Sequence, residues 1–260
     1  MIDCVRGCKK YFNYILFSSK SKLKSEVASS YLNALWLVLN PLFYMLTYMF
    51  IVEVVFKRAE PNFPIFVFIG ITFWDYFSRL ISCSVNVIRD NRNIVTKTYI
   101  PKYVLLMVKS FVLLFKMFIS IFIIFILLAI FRIKISFNVL LLLPIIVVMY
   151  IFTFGCGMIL MHFGVYVNDL NDIVRILLRF IFYFSGIFYS ITNSLPPIAG
   201  NILLKANPIA FFINEARNVL MYHQGLSFYL LIWLIIGLII CKIGLQLIKR
   251  NENTYIKVLR

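Results

Sequence analysis

Ionisable side chains inside long apolar runs are the first candidates for chemistry, because a charge in hydrocarbon is costly and is kept where it has a task. Asp75 and Arg79 lie four residues apart in such a run, so on a helix they share a face and can pair. Two readings fit them: a self-neutralising structural pair, or a pair that touches a substrate. Lys109 and Lys116 are seven apart in the next run and also share a face. Either they snorkel toward headgroups or the first half of their helix leaves the lipid. Glu53, near the end of an earlier run, reads as facing water. Asp169 and Asp172, beside Asn168 and Asn171, are the nearest approach to paired carboxylates. With no base or metal partner alongside, they read as caps of the helix that follows. His162 and His223 fall at run ends and read as interfacial packing.

Several kinds of catalyst are missing from this inventory. No GxxxxGK[ST] loop occurs, so the chain does not itself cradle ATP phosphates. Neither HExxH nor GxSxG is present, which removes two common signatures of metal-dependent and covalent enzymes. Of the five cysteines, Cys83, Cys156 and Cys241 fall in or beside apolar runs, and Cys4 and Cys8 lie on a basic N-terminal segment. That spacing, with no Cys/His partner pair, gives neither a zinc site nor a disulfide framework. No metal and no cofactor are expected on this chain.

The elements that carry these residues follow from hydropathy. The chain is 62% hydrophobic and 17% aromatic, more apolar surface than a soluble domain of 260 residues can hide. About six runs are long enough to cross a bilayer, which takes about 20 apolar residues. They are predicted at residues 31–56, 65–88, 104–131, 138–163, 173–189 and 226–248. The predicted fold is an all-α integral membrane domain of six transmembrane helices over 31–248, preceded by an interfacial amphipathic helix at 1–30 and followed by a tail at 249–260. In the first segment Arg6, Lys9, Lys10, Lys20, Lys22 and Lys24 mix with Tyr11, Phe12, Tyr14 and Phe17, a blend suited to anionic headgroups; a solvated basic tail is the other reading. No cleavable signal is expected, since these polar and basic residues precede the first run.

Residues 190–225 do not read as a simple loop. Ile202, Leu203, Leu204, Phe211 and Phe212 alternate with Pro196, Pro197, Asn207 and Pro208, and the prolines stop a single helix from crossing. Two short re-entrant helices dipping from the outer face fit this pattern. Irregular backbone at that depth needs protein or a water-filled cavity over it. This points toward a pathway rather than a passive bundle.

The formal charge is +16, from 26 Lys and Arg against 10 Asp and Glu. In a membrane chain the excess reads as flank charge rather than nucleic-acid binding. The N-terminal segment, the Arg89–Lys102 connection, the Arg175 region and the tail hold most of it, so they are expected on one side, with both termini cytoplasmic. Aromatic residues crowd the span ends: Trp36, Tyr44, Tyr48, Phe73, Trp74, Tyr76, Phe77, Tyr183, Phe184, Phe188 and Tyr189. They fit interfacial belts, and they also fit a path on which sugar rings stack.

Read in order, these features resemble the permease subunit of an ABC type-2 exporter, in the polysaccharide, O-antigen and teichoic acid export subgroup. Pro41-Leu-Phe-Tyr-Met-Leu resembles the family's early proline-containing helix. Gly70-Ile-Thr-Phe-Trp74-Asp-Tyr-Phe77 resembles its Gly…Trp…Phe signature. Lys97-Thr-Tyr99-Ile-Pro101-Lys102 resembles the loop with a Lys, an aromatic and a Pro-Arg pair. Tyr166-Val-Asn168-Asp169 stands where the family has Phe-Arg-Asp, with Asn168 in place of the Arg. Ser185-Gly186-Ile-Phe-Tyr189 resembles the end of the fifth span, with Gly186 for a frequent Pro. Asn207-Pro208 followed by Glu215-Ala-Arg217 resembles the element before the last span.

The resemblance implies a division of labour. Two copies of the permease would assemble with two separate ATPase subunits that bind Mg-ATP, and move a lipid-linked glycan through the bacterial cytoplasmic membrane. Arg92, Asn93, Ile94, Val95, Thr96, Lys97 and Tyr99 would form the ATPase-coupling loop. The segment at 190–225 would form the outer gate of the pathway, with Pro196, Pro197, Asn207, Pro208, Glu215 and Arg217 as candidate residues. Export of a drug or small lipophile shares the architecture and is the alternative within transport. A membrane-embedded lipid- or glycan-modifying enzyme is the alternative outside it.

Overall fold

The computed structural model describes residues 2–28, 33–55, 62–98, 100–134, 136–194 and 196–259. Tyr31, residues 56–61 and Tyr99, with the side chains of Cys4, Arg6, Cys8, Lys9 and Glu53, lie outside the described residues. Every regular element among those described is helical.

Four helices are long and apolar enough to cross a membrane: Phe63–Asp90, Lys102–Ile130, Phe137–Tyr166 and Tyr229–Glu252. They match four of the predicted runs. In chain order the elements are α1 (Ile2–Ala28), α2 (Asn33–Met49, continued by a π-helical turn, Phe50–Val55), α3 (Phe63–Asp90), α4 (Arg92–Lys97) and α5 (Lys102–Ile130). A 3-10 turn, Phe137–Leu141, leads into α6 (Leu142–Tyr166), followed by α7 (Leu170–Tyr183), α8 (Ile191–Ser194), α9 (Pro197–Ala206), α10 (Pro208–Leu220) and α11 (Tyr229–Leu259).

Helix α3 is the hub, packing on α2, α5, α6, α7 and α10. Of its most apolar stretch 72% is buried, against 28% for α11. The outer helices keep apolar stripes uncovered, as lipid-facing surfaces should. Phe115, Phe118, Phe122 and Ile126 form one on α5, and Leu231, Ile235 and Ile239 another on α11. Helix α11 packs most extensively on α6. The Cys241 thiol donates to the Ile151 carbonyl at 3.1 Å, and His162 Nδ1 meets the Tyr255 hydroxyl at 2.8 Å. Residue numbers rise together along these pairs, so α6 and α11 run in the same direction.

One end of the bundle gathers the expected basic segments. Arg89 donates to the Asn168 side chain at 2.8 Å and to the Val165 carbonyl at 3.2 Å. A cation from α3 thus stands beside Asn168. Hydropathy ends the last run at Ile248, yet α11 continues to Leu259 and buries Tyr255 completely against α6. Burial, with Tyr166 next to it, pushes the Tyr255 phenol above the usual tyrosine range.

Two local expectations are corrected. Asp169 precedes α7 but makes no side-chain capping bond. Its backbone (φ −83°, ψ 1°) is not the extended one that aims a cap at the first amides, and Asp172 pairs instead with Arg175 at 3.5 Å. The run at 173–189 does not hold one helix: α7 has 14 residues, about 21 Å at 1.5 Å per residue, and ends at Tyr183 in a turn through Ser185 and Gly186.

Within the predicted segment 1–30 the described residues form α1, Ile2–Ala28, whose second half does not only lie on a surface. The Ser19 hydroxyl donates to the Val108 carbonyl at 3.3 Å, and Lys116 pairs with Glu26 at 2.7 Å. The numbers rise together, so α1 climbs beside the first half of α5. That contact gives Lys116 a fixed counter-charge.

Candidate functional site

A cavity of about 560 Å³ opens between α2, α3 and α7. Tyr44, Tyr48, Trp74, Phe182 and Tyr183 supply aromatic walls. Asp75, Ser78, Arg79, Arg175 and Arg179 supply the polar ones, so three arginines face one carboxylate. Tyr48 and Phe188 have ring centroids 3.9 Å apart, and Phe182 packs on both Trp74 and Phe188 at 5.2 and 5.3 Å. The Tyr189 hydroxyl donates to the Tyr183 carbonyl at 3.0 Å, which holds the turn after α7 against the same wall.

Arg79 Nε is 2.6 Å from Asp75 Oδ1, with both side chains about half exposed, 49% and 47%. An exposed pair contributes at most about 1 kcal/mol to stability, so fold stability is a weak reason for it. It lines the cavity, where its polar atoms meet whatever enters.

The remaining predicted aromatics separate from this group. Phe73, Tyr76 and Phe77 are buried; Phe73 is core, and Phe77 lines a smaller apolar cavity of about 300 Å³ beneath the α9–α10 turn. Trp36 is exposed and packs on Phe43 at 6.5 Å. The buried Tyr76 hydroxyl has no hydrogen-bond partner among the described residues. Tyr76→Phe should therefore leave the melting temperature unchanged or raise it, by up to about 1 kcal/mol of stability. A fall in melting temperature would mean that the hydroxyl is bonded.

The six residues assigned to an outer gate are caps and anchors in this conformation. Pro196 and Pro197 start α9, and Pro208 opens α10, where a missing N–H costs nothing. Asn207 Oδ1 accepts the amides of Ile209 and Ala210 at 3.1 and 3.3 Å, and its amide donates to the Phe184 carbonyl at 3.1 Å. Glu215 accepts the Ser227 amide at 3.0 Å, fixing the turn ahead of α11.

Arg217 is the central anchor and is 3% exposed. Its guanidinium donates to the carbonyls of Phe66 (3.1 and 2.9 Å), Gly186 (2.7 Å) and Ile187 (2.8 Å), and it lies 3.3 Å from the centre of the Phe66 ring. In the turn after α7 the Gly186 and Ile187 carbonyls lie outside any helix, and the planar fork of donors supplies them. Gly70 makes this possible: a Cβ there would come 2.9 Å from Arg217 Nη2 and 3.1 Å from Ile187 Cγ2. Gly186, at φ 62°, takes a backbone conformation that favours glycine. Sequence reasoning named Arg217 and Gly70 separately; only their positions show that one makes room for the other.

Helix α4 presents a different surface. Val95 is buried and Ile94 half-buried, while Arg92, Asn93, Thr96 and Lys97 are exposed. It sits against α3 and α11, at the end of the bundle where Arg89 meets Asn168.

The described residues define an all-helical membrane protein with an aromatic and basic recess that α2 and α7 form beside α3, one of its four membrane-length helices. No family model matches the chain. Among curated proteins it is similar to the O-antigen export system permease protein RfbA of Myxococcus xanthus, with 27% identity over 224 residues, 86% of each chain. It is likewise similar to the protein of that name from Klebsiella pneumoniae, with 25% identity over 249 residues, 95% of each. The class that the motifs resemble and the class of these relatives are the same, and the likeness runs almost end to end.

Proposed function

We propose that the chain is the membrane-spanning subunit of an ATP-driven ABC type-2 exporter that carries a lipid-linked polysaccharide, of the O-antigen, capsular or teichoic acid kind, across the bacterial cytoplasmic membrane. The observation that carries this reading is the likeness to two O-antigen export permeases over 86% and 95% of the length. The α2–α3–α7 cavity supports it independently. Aromatic faces stack on the apolar side of sugar rings, and arginines with Asp75 and Ser78 offer hydrogen bonds to hydroxyls.

Two copies work with two ATPase subunits, which bind Mg-ATP. Six crossings, both termini cytoplasmic, agree with the shared direction of α6 and α11, since α7 must return the chain between them. The α9–α10 turn reaches Phe77, about four turns into α3, which supports a re-entrant hairpin at the outer side. Nucleotide on the partner favours one arrangement of the permeases over another, and α4 with α1 transmits the shift.

Co-reconstitution with an ABC ATPase in proteoliposomes tests the reading: lipid-linked glycan should become protected in an ATP-dependent way. Export without nucleotide, or none with it, would reject the reading. Glycine or serine at Asn93, Thr96 and Lys97, with Ile94 and Val95 kept to anchor α4, should leave insertion and ATP turnover intact. Export should fall at least about tenfold, as when a coupling free energy of about 1.4 kcal/mol is lost. Normal export would remove α4 from the coupling path.

A further inference from the structure

A second cavity, of about 440 Å³, opens between α1, α3 and α5. It meets the aromatic one at Ser78 and Arg79, which line both. Its wall carries Arg79, Lys109 and Lys116 with Ser82 and Cys83, against the carboxylate of Glu26. Two of the cations have counter-charges, Arg79 in Asp75 and Lys116 in Glu26. Lys109 has no hydrogen bond or ion pair among the described residues. Lys22, one turn before Glu26, adds to the crowding: burial, and then the charge of Lys109, lowers its ammonium pKa. Cations gathered around an open volume, with a low-dielectric wall, hold a positive potential that attracts an anion.

Depth narrows the kind of anion. Helix α5 has 29 residues, about 43 Å, enough to reach from one headgroup layer to the other. Lys109 is about 10 Å and Lys116 about 21 Å from its start. Lys109 lies just inside the headgroup layer, within side-chain reach of an amphiphile's phosphate, and Lys116 extends toward that level from nearer the bilayer middle. A lipid chain would hold a phosphate at this depth, as nothing holds a soluble anion. We infer that the α1–α3–α5 cavity binds the phosphate of an amphiphilic lipid, with Lys109 as its principal contact and Arg79, Lys116 and the Ser82 hydroxyl as flanking donors.

Two lipids carry that chemistry: a glycan carrier with a phosphate at its head, and a bulk anionic phospholipid. With the first, the sugar reaches the aromatic cavity past Ser78 and Arg79, and that assignment rests on the transport reading. The phosphate site itself does not.

The test uses the full chain in phosphatidylcholine nanodiscs, with binding followed by native mass spectrometry. The probes are a long-chain polyprenyl diphosphate, phosphatidylglycerol and inorganic diphosphate. Lys109→Gln should weaken binding of the favoured probe about tenfold, the loss of one charge-assisted hydrogen bond. Lys109→Arg should retain it, which separates a lost contact from a damaged fold. Preference for the polyprenyl diphosphate identifies the carrier, and equal binding of phosphatidylglycerol identifies the bulk lipid. Inorganic diphosphate alone binding as tightly would overturn the amphiphile assignment. Binding of all probes unchanged in Lys109→Gln and Lys116→Gln would overturn the site, even with ATP-driven export intact.

Discussion

Arg217→Ala should destabilise the protein by about 3–5 kcal/mol, the range for removing one partner from a buried charged arrangement. The guanidinium serves carbonyls on α3 and on the turn after α7, and without it the Gly186 and Ile187 oxygens lose that donor in a dry interior. Each such group costs several kcal/mol in the absence of water. Arg217→Lys should not restore stability, because one ammonium cannot reproduce a planar fork aimed at three carbonyls. Gly70→Leu should act in the same direction, since its side chain would occupy the space of Nη2. Thermal unfolding in mild detergent, followed by size-exclusion chromatography, reads all three. An unchanged melting temperature for Arg217→Ala would show that the turn holds by itself.

Trp74→Ala and Tyr48→Ala should each lower export about three- to tenfold while lowering the melting temperature much less than a core truncation does. Both side chains are only half-buried and line the recess, so a substrate would lose a stacking surface worth about 0.5–1.5 kcal/mol. Phe73→Ala is the contrasting case, because that ring is wholly buried and its loss creates a core cavity at about 3–5 kcal/mol. Export by proteoliposomes, normalised to assembled protein, separates the two behaviours. Equal losses of export and assembly in Trp74→Ala would make that ring packing.

The four long helices are legible in the sequence because continuous apolar runs of bilayer length have few other uses. The Asp75–Arg79 pair and the Asn207–Pro208 start of α10 are legible as well, since both depend on neighbours within four residues. What hydropathy missed depends on distant partners. The break after Tyr183 is held by Arg217, some thirty residues downstream. Lys116 reads as an isolated charge until α1 brings Glu26 beside it. Arg89 takes up a position opposite Asn168 that only packing of α3 on α6 reveals. The polar end of α11 has no apolar run to announce it, and its helix is anchored by Tyr255 on His162. Among the aromatics, residue type could not separate Trp74, which lines the cavity, from Phe73 one residue before it in the core.

The most direct test of the account is purification of the chain from its native membrane in mild detergent, with mass spectrometry of whatever accompanies it and measurement of ATP turnover. A stoichiometric ABC ATPase, whose turnover changes when lipid-linked glycan is added, is the expected result. Recovery of the chain alone in repeated preparations stabilised by crosslinking, with no ATP turnover, would contradict it.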